Sequence, residues 1–359
     1  MMSTEPNGTM TTFANITDTP KKACVDQGSF GWLYTYQPHY MWSIFVLGFI
    51  ENLFVISVFA LYKSRCTVTE IYLGNMAATT LIYVSSLPFR AVHVSNRFHW
   101  TFGSFMCSAV VSAFQLNFYS SIYFLMMVSI ERYLALVKPM SVSHLRRPWG
   151  TKVTCGIIWV FAVGISVPNG VFRKVEFNEK LNTTDCVNDK TFKKWYISVN
   201  SIRNILGFLV PLVVITFCTS QMIRALINNP MRQFKKVNKE KKATWLVLSV
   251  LLIFMLCWIP YNISIFIMTL DRFNVFLSCK LKSINDHIYQ MSYYMVLSNS
   301  CINPVLYCMV GNNFRQKARE VYGRLLCGLD CISVPLMSIV TPTVSSNIYI
   351  VTPTVHPKK

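Results

Sequence analysis

Seven apolar runs constrain this chain more than any other feature. They fall at residues 39–62, 71–93, 104–137, 152–172, 196–226, 244–270 and 284–310. Each reaches the roughly 20 residues that a helix needs to cross a hydrocarbon core about 30 Å thick. Several exceed that length, which implies tilt or extension beyond the bilayer. With 53% hydrophobic and only 14% charged residues over 359 positions, the chain is too apolar for an ordinary soluble enzyme of its size. The expected fold class is an all-α membrane protein, a seven-transmembrane helix bundle over residues 39–310.

Charge sorts the connecting segments by side. Basic residues gather after the first run (Lys63, Arg65), the third (Lys138, Arg146, Arg147, Lys152), the fifth (Arg224, Arg232, Lys235, Lys236, Lys239, Lys241, Lys242) and the seventh (Arg315, Lys317, Arg319, Arg324). Positive loops stay cytoplasmic, so the N-terminus is expected outside and the C-terminus inside. The opposite links carry acids, among them Glu176, Glu179, Asp185 and Asp189. A net charge of +19 distributed by membrane side does not suit nucleic-acid binding, so no nucleic-acid partner is expected. Residues 1–38 are polar with no apolar stretch of signal-peptide length, so the first run is expected to act as an uncleaved insertion signal. Glycosylation acceptors at Asn7, Asn15 and Asn182 all fall on the outer side. The triplet at Asn262 lies inside a run and is expected to stay unmodified.

Four of the twelve cysteines, Cys24, Cys107, Cys186 and Cys279, fall on the oxidising side, where three pairings are open to them. Joining Cys107 to Cys186 and Cys24 to Cys279 would tie a lid over the bundle. The six histidines are scattered and no cysteine spacing matches a zinc site, so neither a metal nor a cofactor is expected.

Within the runs, polar and helix-breaking residues stand out. The third ends in Glu131-Arg132-Tyr133, and an acid and a base at the inner edge of a span are expensive enough to suggest a switch. The sixth holds Cys257-Trp258-Ile259-Pro260, and the seventh holds Asn299, Asn303, Pro304 and Tyr307. Proline frees a carbonyl and bends a membrane helix, and Asn303 and Tyr307 share a face across the Pro304 bend. A transporter would need internal repeats and paired broken helices around midplane ionisable groups; no repeat is present, and the interiors of the runs are nearly free of acids. A retinal pigment would need a lysine in the seventh run, which has none. No acid, base and nucleophile stand at one depth, so an enzyme is not expected.

These motifs in this order resemble the rhodopsin-like G-protein-coupled receptors: Asn52, Cys107, Glu131-Arg132-Tyr133, Trp159, Pro211, Cys257-Trp258-Ile259-Pro260, and Asn303-Pro304-Val305-Leu306-Tyr307 followed by Phe314. Within that family the chain is most similar to the kinin (bradykinin) receptors. The similarity is carried by Cys66 to Asn75, Ser129 to Lys138, Val214 to Thr219 and Ser298 to Pro304. Gln115, where one kinin subtype has lysine, puts it nearer the subtype for the intact peptide. Angiotensin-type or chemokine-type peptide receptors are the alternative.

The resemblance implies a multi-pass plasma-membrane receptor for a kinin-like peptide that activates a heterotrimeric G protein, Gq first and Gi second. It implies that Glu131, with Glu240, restrains Arg132 at rest, that Trp258 floors the ligand pocket, and that Asn299, Asn303 and Tyr307 relay the change inward. The Cys24 and Cys279 pairing also fits peptide receptors of this group. Kinins begin and end in arginine, so the mouth should offer carboxylates, with Asp286 and Asp271 the candidates. Gln290, Tyr261, Phe114 and Asn117 are the expected pocket neighbours.

Three positions depart from the family. Met268 replaces an acid of the sixth span, and Arg90 stands where kinin receptors have tryptophan, beside a further base at Arg203. Either the ligand carries an acid that these arginines meet, or they pair with Asp286 and outer-loop acids. Thr80 occupies the place of the second-span aspartate that partners sodium, so sodium should have little effect on agonist affinity.

After the last span, residues 311–326 read as a short amphipathic cytoplasmic helix. Arg315, Lys317, Arg319 and Arg324 are expected to meet anionic headgroups, with Phe314, Ala318 and Val321 facing the bilayer. Cys327 and Cys331 are candidate palmitoylation sites. Residues 327–359 read as a disordered tail in which Ser345, Ser346, Thr352 and Thr354 are candidate phosphorylation sites. Receptor kinases and arrestin are the partners that the resemblance implies for it.

Overall fold

The computed structural model describes residues 31–62, 66–137, 148–178, 183–188, 193–228, 235–273, 278–310 and 314–323. In chain order these form helices α1 (Gly31–Leu61), α2 (Val68–Val84), α3 (Leu87–Ser95), α4 (Gly103–Val137) and α5 (Pro148–Val171). Strands β1 (Arg173–Asn178) and β2 (Thr183–Asn188) follow, then α6 (Lys193–Asn204), a π segment (Ile205–Leu209), α7 (Val210–Asn228), α8 (Lys235–Arg272) and α9 (Cys279–Val310). A last helix, α10, covers 314–323. The expected sites at Asn7, Asn15, Cys24, Asn182, Arg324, Cys327, Cys331 and the tail lie outside the described residues.

Among the described residues, five helices are long and apolar enough to cross a membrane: Thr35–Leu61, Gly103–Val137, Trp149–Val171, Ile197–Ala225 and Val247–Asp271. The second run is split instead. Pro88 lacks an N–H and crowds the carbonyl four residues back, so α2 ends at Val84 and α3 restarts at Leu87. The seventh, α9, has the length but carries Lys280, Lys282 and Asp286 near its outer end and Asn299, Ser300 and Asn303 deeper down. The fifth is one span made of α6, the π segment and α7. Pro211 at the start of α7 cannot donate to the Gly207 carbonyl, and the adjacent bulge absorbs that lost bond.

Polarity is arranged as hydrocarbon demands. Leu53, Val160, Val213, Phe217, Leu252 and Leu256 point outward, while Asn52, Thr79, Thr80, Asn117, Ser121, Asn299 and Ser300 are buried between helices. Asn52 ties α1 to α9 by donating to the Gly48 carbonyl (2.7 Å) and the Ser300 carbonyl (3.0 Å). Trp159 of α5 donates to the Asn75 side chain of α2 (3.0 Å). Helix α4 passes through the middle, burying Cys107, Val110, Phe114, Asn117, Ser121, Leu125 and Val128 at three- and four-residue intervals.

At the outer end β1 and β2 form an antiparallel hairpin in which Val175 faces Cys186 and Glu176 faces Asp185. The Cys107–Cys186 disulfide, Cα atoms 5.8 Å apart, pins β2 to the top of α4. Cys279 is also disulfide-bonded.

At the inner end α10 departs from expectation. Lys317 does not face headgroups: its ammonium lies 2.7 Å from Glu70 and 4.4 Å from the Tyr62 ring centroid. Glu70 closes the capping box of α2 with Thr67, and the carboxylate fixed there draws the lysine inward. Phe314 and Val321 are buried as well, with Phe314 against the rings of Phe54 and Phe59, and the Tyr322 hydroxyl lies 2.6 Å from the Ser57 hydroxyl. Arg315 and Arg319 remain exposed.

Helices α4 and α5 pack tightly at Gly170. A Cβ there would collide with Ser112 Oγ and lie 2.5 Å from the Ser108 carbonyl, whereas nothing stands within 4 Å of one at Gly164. Gly170→Ala should therefore lower the melting temperature by several degrees, the cost of overpacking being about 1–3 kcal/mol, and Gly164→Ala should not lower it. Thermal unfolding in detergent or nanodiscs checks the pair.

Candidate functional site

Between the hairpin and the outer halves of α3, α4, α6, α8 and α9 lies a cavity of about 340 Å³. Its wall is aromatic and basic. Phe114, Tyr261, Tyr289 and Tyr293 supply the rings, and Arg90, Arg173, Arg203 and His93 the nitrogen groups. No carboxylate lines it among the described residues.

Arg203 is the most constrained of these groups. It sits at the end of α6, only 4% exposed, its guanidinium 4.9 Å from the Phe118 and Tyr261 ring centroids and 5.8 Å from that of Phe114. Aromatic faces attract a cation but accept no strong hydrogen bond, and Nε and Nη2 of Arg203 have no hydrogen-bond partner among the described residues. Arg90 lies over the Tyr293 ring at 5.4 Å. An aromatic chamber with a buried guanidinium and two half-buried ones suits a ligand that brings an anion.

The structure brings together only some of the expected ligand residues. Arg90, Phe114, Gln115 and Tyr261 line the cavity. Trp258 lies one layer deeper, 1% exposed, its ring centroid 4.8 Å from Phe118, 5.9 Å from Tyr261 and 6.4 Å from Phe114. Asn117 is also deeper, its carbonyl oxygen accepting from Thr80 (3.1 Å) and Ser121 (3.2 Å). Asp271 pairs with Lys282 at 2.7 Å on the rim, Asp286 is exposed on α9, and neither they nor Gln290 lines the cavity. Tyr289 and Tyr293 escaped the sequence reading, although their four-residue spacing on α9 was a signal that they share a face.

Above the cavity, Asp185 of β2 lies 3.0 Å from Nε2 of His93 on α3 and accepts the Cys186 N–H at 2.7 Å. The His93 hydrogen bond, against the opposing effect of desolvation and with help from Cys186, holds this carboxyl below its usual range. A depressed carboxyl stabilises the fold above its unfolded pKa, and that contribution fades as pH falls through the folded value.

At the end of α4 away from the cavity, Arg132 Nε is 2.9 Å from the Glu131 carboxylate. Thr69 of α2 joins them: its hydroxyl donates to Glu131 (2.9 Å) and accepts from Arg132 Nη2. Tyr133 packs against Phe217 of α7 in a cluster that includes Cys218, Met222 and Leu248 of α8. Pro304 and Asn303 are buried in α9. The side chains of Glu240 and Tyr307 lie outside the described ones. Between the two ends, Phe114, Phe118, Trp258 and Phe254 make a continuous aromatic column, the last pair 5.6 Å apart.

Comparison with known proteins agrees with this layout. Residues 51–307 match the family described as 7 transmembrane receptor (rhodopsin family). The B2 bradykinin receptor of Oryctolagus cuniculus is 46% identical over 310 residues, covering 86% of this chain and 84% of that protein. The B2 bradykinin receptor of Homo sapiens is 47% identical over 308 residues, covering 85% and 79%. The B1 bradykinin receptor of Tupaia minor is 34% identical over 292 residues, covering 81% and 83%.

Thr80, Asn117 and Ser121 satisfy one another where the family's sodium-binding aspartate would stand, and this neutral set does not fit a buried cation. Exchanging sodium for choline should leave the melting temperature unchanged, while Thr80→Asp should gain a stabilisation specific to sodium. A sodium-dependent shift in the unaltered protein would contradict this.

Proposed function

The chain belongs to the rhodopsin family of seven-transmembrane receptors, and on that premise we propose that it is a cell-surface receptor that captures bradykinin-like peptides and activates heterotrimeric G proteins. The amino terminus is outside and the carboxyl terminus in the cytoplasm. Coupling is to the Gq class, with phospholipase C and calcium release as the output. The tail engages receptor kinases and arrestin, and Arg315 and Arg319 of α10 meet anionic lipid.

One arrangement carries this reading: a basic, aromatic cavity at the outer end stands over a column of buried rings that runs inward to Phe254, and a restrained arginine lies at the inner end. A kinin carries arginines and a free terminal carboxylate. The rim acids Asp271 and Asp286 meet its guanidinium groups, and Arg203 with Arg90 meets its carboxylate, giving Arg203 the acceptor that the aromatic chamber withholds. Peptide seated on Phe114 and Tyr261 bears through them on Trp258, the pivot above the Pro260 bend.

At rest Thr69 and Glu131 hold Arg132, and the Tyr133 cluster keeps the inner ends of α4, α7 and α8 closed. Peptide shifts the population toward a form in which those ends part and Arg132 is released to the G protein. The shift is no larger than the peptide's differential affinity for the two forms.

Kinin peptides with and without the terminal arginine, applied to cells expressing the chain and read as calcium release, test the function, and silence to both would overturn it. Arg203→Gln should weaken a free-acid kinin about thirtyfold, as truncating one partner of a buried charge pair costs at least about 2 kcal/mol, and should barely affect the C-terminal amide. Asp286→Ala leaving affinity intact would remove that residue from the site. Thr69→Val, which deletes one bridging hydroxyl, should raise basal nucleotide exchange about fivefold.

A further inference from the structure

Besides its disulfide, the hairpin over the cavity is held by contacts that depend on protons. After α3 the chain turns sharply through Arg97 and Phe98, whose φ angles of 53° and 65° are left-handed. The turn lays His99 and Trp100 alongside β2. The Trp100 N–H donates to the Thr184 carbonyl (2.6 Å), and the Thr184 N–H donates to Nδ1 of His99 (3.0 Å). One residue further along β2, Asp185 meets His93 Nε2, which also lies 3.0 Å from the Phe98 carbonyl. Facing two acceptors, Nε2 of His93 carries a proton.

The two histidines therefore answer to acid with opposite signs. His99 accepts the Thr184 N–H only while Nδ1 is bare, and an imidazolium has no lone pair to offer. His93 already donates through Nε2, and a second proton on its other nitrogen makes it a cation against the Asp185 carboxylate. The other charged groups at this corner are Arg173, Lys174 and Glu176 of β1, Arg97 of the turn and Arg90 of α3. Glu176 stands opposite Asp185 in the ladder, with Lys174 3.8 Å away, and Arg90 and Arg173 line the cavity below. Helix α4 meets the corner through Cys107 and Val110, packed against Trp100. Arginine, lysine and glutamate side chains ordinarily titrate outside the interval in which imidazoles do, about pH 5 to 8.

We propose that His99 and His93 form an opposed, proton-sensitive latch on the hairpin that roofs the cavity, His99 releasing β2 on protonation and His93 gripping it. Acid then sets how long the roof stays closed. The consequence for peptide residence rests on the receptor reading above, whereas the latch does not.

Hydrogen exchange on the purified full chain in nanodiscs tests it, following the protection of segment 183–188 at about pH 7.5 and about pH 5.5 after correction for intrinsic rates. His93→Gln keeps an N–H donor that cannot charge, so only the His99 response remains and acid should lower protection about fivefold, the worth of one hydrogen bond. His99→Asn keeps an acceptor that cannot be protonated, so protection should hold or rise in acid. The unaltered protein should fall between them. Should either variant misfold, as judged by loss of the Cys107–Cys186 disulfide, His93→Asn or His99→Gln takes its place. Identical pH responses in all three proteins, or the reverse order, would overturn the latch. Dissociation of labelled bradykinin should quicken in acid for His93→Gln and not for His99→Asn. If exchange follows the scheme and dissociation does not, the latch stands and its control of residence is rejected; if no peptide binds, exchange alone decides.

Discussion

Hydrocarbon offers no hydrogen-bond partner, and this protein is built around that lack. Apolar side chains that would form the core of a soluble domain face the lipid, while Asn52, Asn75, Thr80, Asn117 and Trp159 turn inward and bond to one another or to backbone carbonyls. Each of these bonds joins two helices or steadies one, so the polar set works as a frame. Small residues complete it: Gly170 lets α4 and α5 touch, and Gly207 fits the π segment against Phe118 and Tyr119.

Within that frame the charges sit at two depths with different company. Arg203 is enclosed by aromatic faces, an environment that tolerates a cation and leaves Nε and Nη2 without a hydrogen-bond partner among the described residues. Arg132 is held by an ion pair with a carboxylate and by a hydroxyl that accepts from its Nη2. One guanidinium is thus poised for an anion from outside, and the other must lose partners before it can do anything. The aromatic column below the first, with Trp258 in the middle and Pro260 two positions on in α8, runs inward to Phe254, and on the receptor reading it is the route along which filling the first site disturbs the second.

Much of this was legible in the chain. The seven apolar runs, the side-sorted charge and the residues Glu131-Arg132 were readable because membrane depth and helical period leave direct marks on sequence. Side-chain company was less so. Lys317 looked like a lipid anchor because its helix is basic, yet its direction is set by Glu70, 247 positions earlier. Asp286 looked like a pocket acid because of its place in the run, and it shares a helix face with Tyr289 and Tyr293, but it stands nearer the end of α9, where it is exposed, while the two tyrosines line the cavity. Arg203 was readable as an added base. That it would be buried among three rings follows from α4 and α8, and no local pattern around it says so.

The central claim is that filling the outer cavity opens the inner end of the bundle. Spin labels at the cytoplasmic ends of α4 and α8, in purified protein held in nanodiscs, measure that opening directly by electron resonance distances. The account predicts that a bradykinin-like peptide adds a longer distance at the expense of the resting one, and that Arg203→Gln shifts the peptide dependence of this change to higher concentration. Saturating peptide occupancy with an unchanged distance distribution would contradict it.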